Sequence, residues 1–184
     1  MFIQTEATPN PQTMKFLPGV VVLARGSADY PDSSGPVDSP LARRLFAIDG
    51  VGAVFLGEDF ITITKRDAEW HHLKPEVLGA IMQHFTSGEP MLDGARTTED
   101  ALEDVAEGDR ETVAHIVELI DTRVRPAVAQ DGGDIVFRGF KSGIVYLQMR
   151  GSCSGCPSSV MTLKNGIENM LRHFVPEVQE VRQI

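Results

Sequence analysis

The stretch from Glu89-Pro-Met-Leu-Asp-Gly94 to Glu107-Gly-Asp-Arg-Glu111 constrains this fold more than any other feature of the chain. Between residues 89 and 111 lie nine acids and two bases, a balance of −7 out of the net −9. A segment so charged, and so poor in aromatic residues, repels itself and cannot bury enough apolar surface to form a core. It reads as a flexible tether, assigned to 89–108, with a solvated linker preferred to a helical turn over 101–105. The flanks are near neutrality: ten acids and seven bases in 1–88, seven and eight in 112–184. Cut there, a 184-residue chain yields two small domains, 1–88 and 109–184, each long enough to fold alone.

Both domains read as α+β: two small, mixed α/β domains joined by an acidic linker. In the first, Phe2–Thr8 and Met14–Leu17 are short strands parted by the turn Pro9-Asn10-Pro11, and Val20–Leu23 is an apolar run suited to continue the sheet. Ser39 is placed to cap a helix over 39–48, with Pro40 at its first position. Val51–Leu56 and Phe60–Lys65 follow as a hairpin, and Pro75 opens a last helix that ends near Gly88. This domain holds no cysteine. Its His71-His72 pair is read as surface, His84 and His115 as surface or boundary residues, and Trp70 as core.

The second domain is expected in the order α-β-β-α-β. Val113, Ile116, Val117, Ile120 and Val124 recur at helical spacing, with Arg125-Pro126 as an interruption and Ala127–Ala129 as one further turn. Asp131-Gly132-Gly133-Asp134 is a turn that aims the next strand. Strands follow over 135–140 and 144–149, a helix over 158–174, and a last strand over 178–184. Val160, Met161, Leu163, Ile167, Met170, Leu171 and Phe174 are expected on the buried side of that helix.

Cys153 and Cys156 are the only cysteines, spaced as CxxC between strand and helix. Free N–H groups at a helix start stabilise anionic sulfur and lower a thiol pKa. Ser152, Ser154, Ser158 and Ser159 are placed to hydrogen-bond to sulfur, and the small, polar surroundings suit exposed ligands. Three chemistries compete. A dithiol oxidoreductase also places CxxC at a helix N-terminus, but usually early in its domain and after a βαβ unit. A mononuclear zinc site lacks two ligands, since His173 has no H-x₃₋₅-H partner. An iron–sulfur centre held by cysteine alone needs four thiolates, so a second copy of the chain would complete it. The residues flanking the cysteines favour this third reading.

Asp131-Gly-Gly-Asp134, two strands, Gly151-Ser-Cys-Ser-Gly-Cys-Pro-Ser-Ser159 and Thr162-Leu-Lys-Asn-Gly-Ile-Glu168 resemble the C-terminal domain of NifU and the Nfu proteins. Ile3-Gln-Thr-Glu-Ala-Thr-Pro-Asn-Pro-Gln12 and Met14-Lys-Phe-Leu-Pro18 resemble the N-terminal domain found with it. The resemblance implies a non-enzymatic scaffold or carrier, with a labile [4Fe–4S] cluster as cofactor and cargo. It implies Cys153 and Cys156 as the ligands, a homodimer when loaded, and apo iron–sulfur enzymes as recipients. Upstream cluster-assembly proteins are expected as further partners, met through the N-terminal domain. A zinc or [2Fe–2S] site bridging the dimer is the alternative.

Net acidity argues against non-specific nucleic-acid binding, and the chain has no apolar run of membrane-spanning length. Gly132-Gly133 lacks the G-x-x-x-x-G-K context of a phosphate cradle. The first residues do not read as a signal peptide. The expected location is the cytoplasm of a bacterium, or the mitochondrial matrix for a mature organelle protein.

Overall fold

Alternation in Ile61-Thr-Ile-Thr-Lys65 places Ile61 and Ile63 on one face of a strand and Thr62 and Thr64 on the other, which is where the first core begins. The computed structural model describes residues 1–94, 106–154 and 157–184, with side chains left out at 157–159. The chain divides into two compact units, Met1–Thr98 and Glu99–Ile184, each with its own apolar core.

In the first unit, strands β1 (Gln4–Ala7), β2 (Thr13–Leu17), β3 (Ala28–Tyr30), β4 (Val51–Leu56) and β5 (Ile61–Lys65) form one sheet in the order β1-β2-β5-β4-β3. Every neighbouring pair is antiparallel. Helices α1 (Pro40–Phe46) and α2 (Trp70–Ser87) supply Leu41, Leu45, Leu73, Val77 and Ile81 to a core shared with Phe16, Val54, Leu56, Ile61 and Ile63. Ser39 caps α1: its hydroxyl accepts the Ala42 amide at 3.2 Å, and Pro40 follows at the first position.

Two expectations fail here, and one strand lies where the sequence reading placed none. Val20–Leu23 does not join the sheet; the Val22 and Leu23 amides instead donate to the Glu58 carbonyl at 2.7 and 3.2 Å, and both side chains are buried. Ala28–Tyr30, too short to show alternation, becomes the strand beside β4. Helix α2 starts at Trp70, before Pro75, because buried Leu73 and partly buried Trp70 hold its first turn to the core. The Trp70 indole N–H donates to the Pro11 carbonyl at 3.2 Å.

Four residues read as linker also make contacts with this unit. Arg44 pairs with Glu89 at 3.0 Å and Arg43 with Asp93 at 2.6 Å. The Asp93 amide donates to the Asp38 carbonyl at 2.6 Å, and Met91 and Leu92 pack against the core. Most of the remaining linker, including 101–105, lies outside the described residues.

The second unit follows the expected order. A 3₁₀ turn (Glu107–Asp109) leads into α3 (Arg110–Leu119), a π-helical turn (Ile120–Val124) and α4 (Arg125–Gln130). Strands β6 (Gly133–Lys141) and β7 (Ile144–Gly151) pair antiparallel, α5 (Pro157–Phe174) crosses over, and β8 (Glu180–Gln183) joins β7 in parallel. Arg125-Pro126 does not break the helical path. The Arg125 amide reaches the Ile120 carbonyl, a five-residue step, and widening by one residue makes room for the proline ring.

Along α5, Ile167 and Leu171 are buried, while Val160, Leu163 and Met170 pack at the edge of the core. Met161 and Phe174, expected inside, are 58% and 39% exposed. Met161 lies off the 160–163–167–170/171 stripe, whereas Phe174 is in phase with it but is the last residue of the helix, where it receives the Arg123 guanidinium over its ring at 4.7 Å. No described helix is long and apolar enough to cross a membrane.

Candidate functional site

The end of β7 and the start of β6 lie side by side, with Gly133 opposite Gly151 and Asp134 opposite Arg150. Helix α4 ends where Gly132 takes a φ of +79° and its amide donates to the Ala129 carbonyl at 3.0 Å. The Gly132 carbonyl then accepts the Ser152 amide at 3.2 Å. The Ser152 hydroxyl donates to the Asp131 carbonyl. Asp131 and Gly132 are thus tied to the loop that follows β7, and Gly133 and Asp134 to the end of β7 itself.

Within that loop Cys153 is a free thiol, 7% exposed, in the same core as Ile135 and Met149. This corrects the expectation of an exposed sulfur with a lowered pKa. Burial pushes the Cys153 thiol up to about 11, a hydrogen bond with Ser152 opposes that shift, and the carboxylates of Asp131 and Asp134 add to it. Ser154 turns away from sulfur: its hydroxyl donates to the Gly151 carbonyl at 2.8 Å. Cys156 lies outside the described residues, as do the hydroxyls of Ser158 and Ser159.

The surprise of the site is Arg125. Its Nε and Nη2 donate to the two carboxylate oxygens of Asp134 at 2.8 and 3.0 Å, a bidentate pair, and Nη1 reaches Asp121 at 3.3 Å. Asp134, 6% exposed, also accepts the Ile135 amide at 2.8 Å. The guanidinium pKa is raised, first by the hydrogen bond with Asp134. Asp134 is thereby committed to structure rather than to acid–base work. An Arg nine residues ahead of its partner, across a turn, obeys no local spacing rule, so the sequence carried no signal for it.

The histidines assemble no site. His71 and His72 are both exposed and their rings approach to 3.9 Å, and His115 is exposed. His84 is fully buried, against expectation, with Nδ1 3.7 Å from Glu89. Burial lowers its pKa, Glu89 raises it, and Arg44 lowers it. Among the described residues no group of three or more His, Cys, Asp or Glu is arranged to hold a metal.

Two family descriptions match the chain: "Scaffold protein Nfu/NifU N terminal" over residues 3–88 and "NifU-like domain" over residues 116–182. A protein of Drosophila sechellia named "NFU1 iron-sulfur cluster scaffold homolog, mitochondrial" is 54% identical over 186 residues, covering all of this chain and 65% of that protein. The protein of the same name from Drosophila virilis is 55% identical, covering all of this chain and 62% of its own length. The chain therefore spans a little under two thirds of these relatives. The solution structure of a NifU-like protein from Saccharomyces cerevisiae is 26% identical, covers 51% of this chain and 86% of its own, and has a TM-score of 0.38.

Proposed function

The chain belongs to the Nfu family of iron–sulfur cluster scaffolds, and from that premise we propose that it carries a labile [4Fe–4S] cluster between two copies of itself and hands it to apo-proteins. The observation that carries this reading is sulfur count. All-cysteine ligation of such a cluster takes four thiolates, and each chain owns two, Cys153 and Cys156. Two chains complete the set. Cys153 fits the task chemically: it is a free thiol at a strand–helix junction, unpaired with any disulfide partner.

The cluster is cargo rather than a catalytic group, so the protein turns over no substrate. Transfer proceeds by ligand exchange, recipient cysteines replacing Cys153 and Cys156 in turn. The first unit, without cysteine, serves recognition of recipients or of upstream assembly proteins. The relatives' mitochondrial names favour the mitochondrial matrix over a bacterial cytoplasm. A dithiol oxidoreductase is disfavoured, because the cysteines follow an α-β-β order rather than the βαβ unit that usually precedes such a site.

Reconstitution without oxygen tests the proposal. About four irons and four sulfides per dimer, with a broad absorption near 400 nm, are expected. Cys153→Ala and Cys156→Ala should each lose the iron while circular dichroism stays unchanged. Full iron content in either variant, or stoichiometric zinc in its place, defeats the ligand assignment.

A further inference from the structure

Gly133 lies on the core-facing side of β6, in phase with buried Ile135 and Phe137. At that position a strand normally contributes a side chain, and this one contributes none. A Cβ built on Gly133 would lie 2.4 Å from Cys153 Sγ, 3.0 Å from the Arg150 carbonyl oxygen and 3.1 Å from the Cys153 nitrogen. The sulfur therefore occupies the volume that a side chain at 133 would fill. Around it the backbone is pinned: Ser152 is bonded to the carbonyls of Gly132 and Asp131, and Asp134 is held by Arg125. Glycine at a buried strand position commonly marks such a close approach.

A sulfur in that place conflicts with sharing an inorganic core across two chains. A metal–thiolate bond is about 2.3 Å long, so a core shared with a second chain must come up to the sulfur from outside, whereas Cys153 is 7% exposed within its own chain's core. We propose that Gly133 is a positioning residue: it provides a seat into which the Cys153 thiol withdraws when the chain is unloaded, and from which the thiol turns outward to hold the cargo. The inference rests on the carrier reading above and gives it a direction. Contacts made by the seated thiol exist only once iron has left, so they favour release over retention. The exchange balances without electron transfer. The recipient thiol loses its proton as its sulfur bonds iron, and the Cys153 sulfur gains one as its own bond to iron breaks.

Alkylation of the unloaded 184-residue chain by iodoacetamide, followed peptide by peptide in a mass spectrometer, reads the seat directly. Cys153 should react at least about tenfold more slowly in the folded chain than in the same chain unfolded in guanidinium. Gly133→Ala fills the seat and should bring the Cys153 rate most of the way back. Gly139→Ala, in the same strand, should leave it unchanged, since a Cβ there meets nothing nearer than Tyr146 Cδ2 at 4.0 Å. Loaded Gly133→Ala should surrender iron to a chelator several-fold more slowly than wild type. A folded Gly133→Ala chain with an unaltered Cys153 rate overturns the proposal. Should that variant fail to fold, the wild-type comparison decides alone: equal rates in folded and unfolded chain sink the seat. Protection absent from a chain that takes up iron overturns the seat only. Failure to take up any iron overturns the carrier reading, and the outward half of the proposal with it.

Discussion

Asp134 illustrates how a single carboxylate can be committed to architecture. It is 6% exposed and accepts two N–H groups from Arg125 and one from its own strand. Arg125→Met should therefore destabilise the second unit by about 2 kcal/mol in urea unfolding, less than for a fully dry pair because the arginine side chain is 35% exposed. A loss too small to measure would show the clasp to be idle. His84 gives the opposite case, a base held neutral. Its folded pKa is depressed by burial, so the unfolded chain takes up the proton first as pH falls below the ordinary histidine value near 6.5. Stability of the first unit is full above that pH and declines as the pH drops toward the folded pKa. Unfolding midpoints at pH 7.5 and 5.5 should differ for wild type and converge for His84→Leu; an undiminished difference in the variant assigns the slope elsewhere.

At the scale of the element, helix α5 shows how far periodicity reaches. The spacing identified the helix and its central residues, Ile167 and Leu171, but overstated the width of the buried face by including Met161 and its length by including Phe174. A three-stranded sheet offers one helix a narrow stripe of contact, and a list of apolar positions does not reveal where that stripe ends. Leu171→Ala should cost about 3 kcal/mol and Met161→Ala less than about 0.5 kcal/mol. Similar losses for the two would contradict the observed burial. The helical path from Arg110 to Gln130 teaches the complementary lesson. Pro126 is a helix breaker by local chemistry, yet buried Ile120, Val124 and Val128 hold the path to the core on both sides of it. The chain widens one turn instead of stopping. Capping at Ser39 needed no such help, since it depends on two adjacent residues and one amide.

For the whole molecule, two separate cores fall on either side of the acid-rich stretch in sequence, and residues 89–93 of that stretch are pinned to the first unit by Arg43 and Arg44. A fragment of residues 1–94 should accordingly fold cooperatively, retain its melting transition and bind no iron on reconstitution. Ending the fragment at residue 88 should lower that transition, as Met91 and Leu92 lose their places on the core. An unfolded 1–94 fragment would overturn the independence of the first unit. Sequence alone determined the number of units, the α-β-β-α-β order of the second and the pair of cysteines, because charge, periodicity and residue identity act over a few neighbouring positions. Only the folded chain decided that Cys153 faces inward onto Gly133, that Arg125 clasps Asp134, and that His84 is dry. Each of these depends on which distant segments share a volume, and that is settled by packing, not by any pattern along the chain.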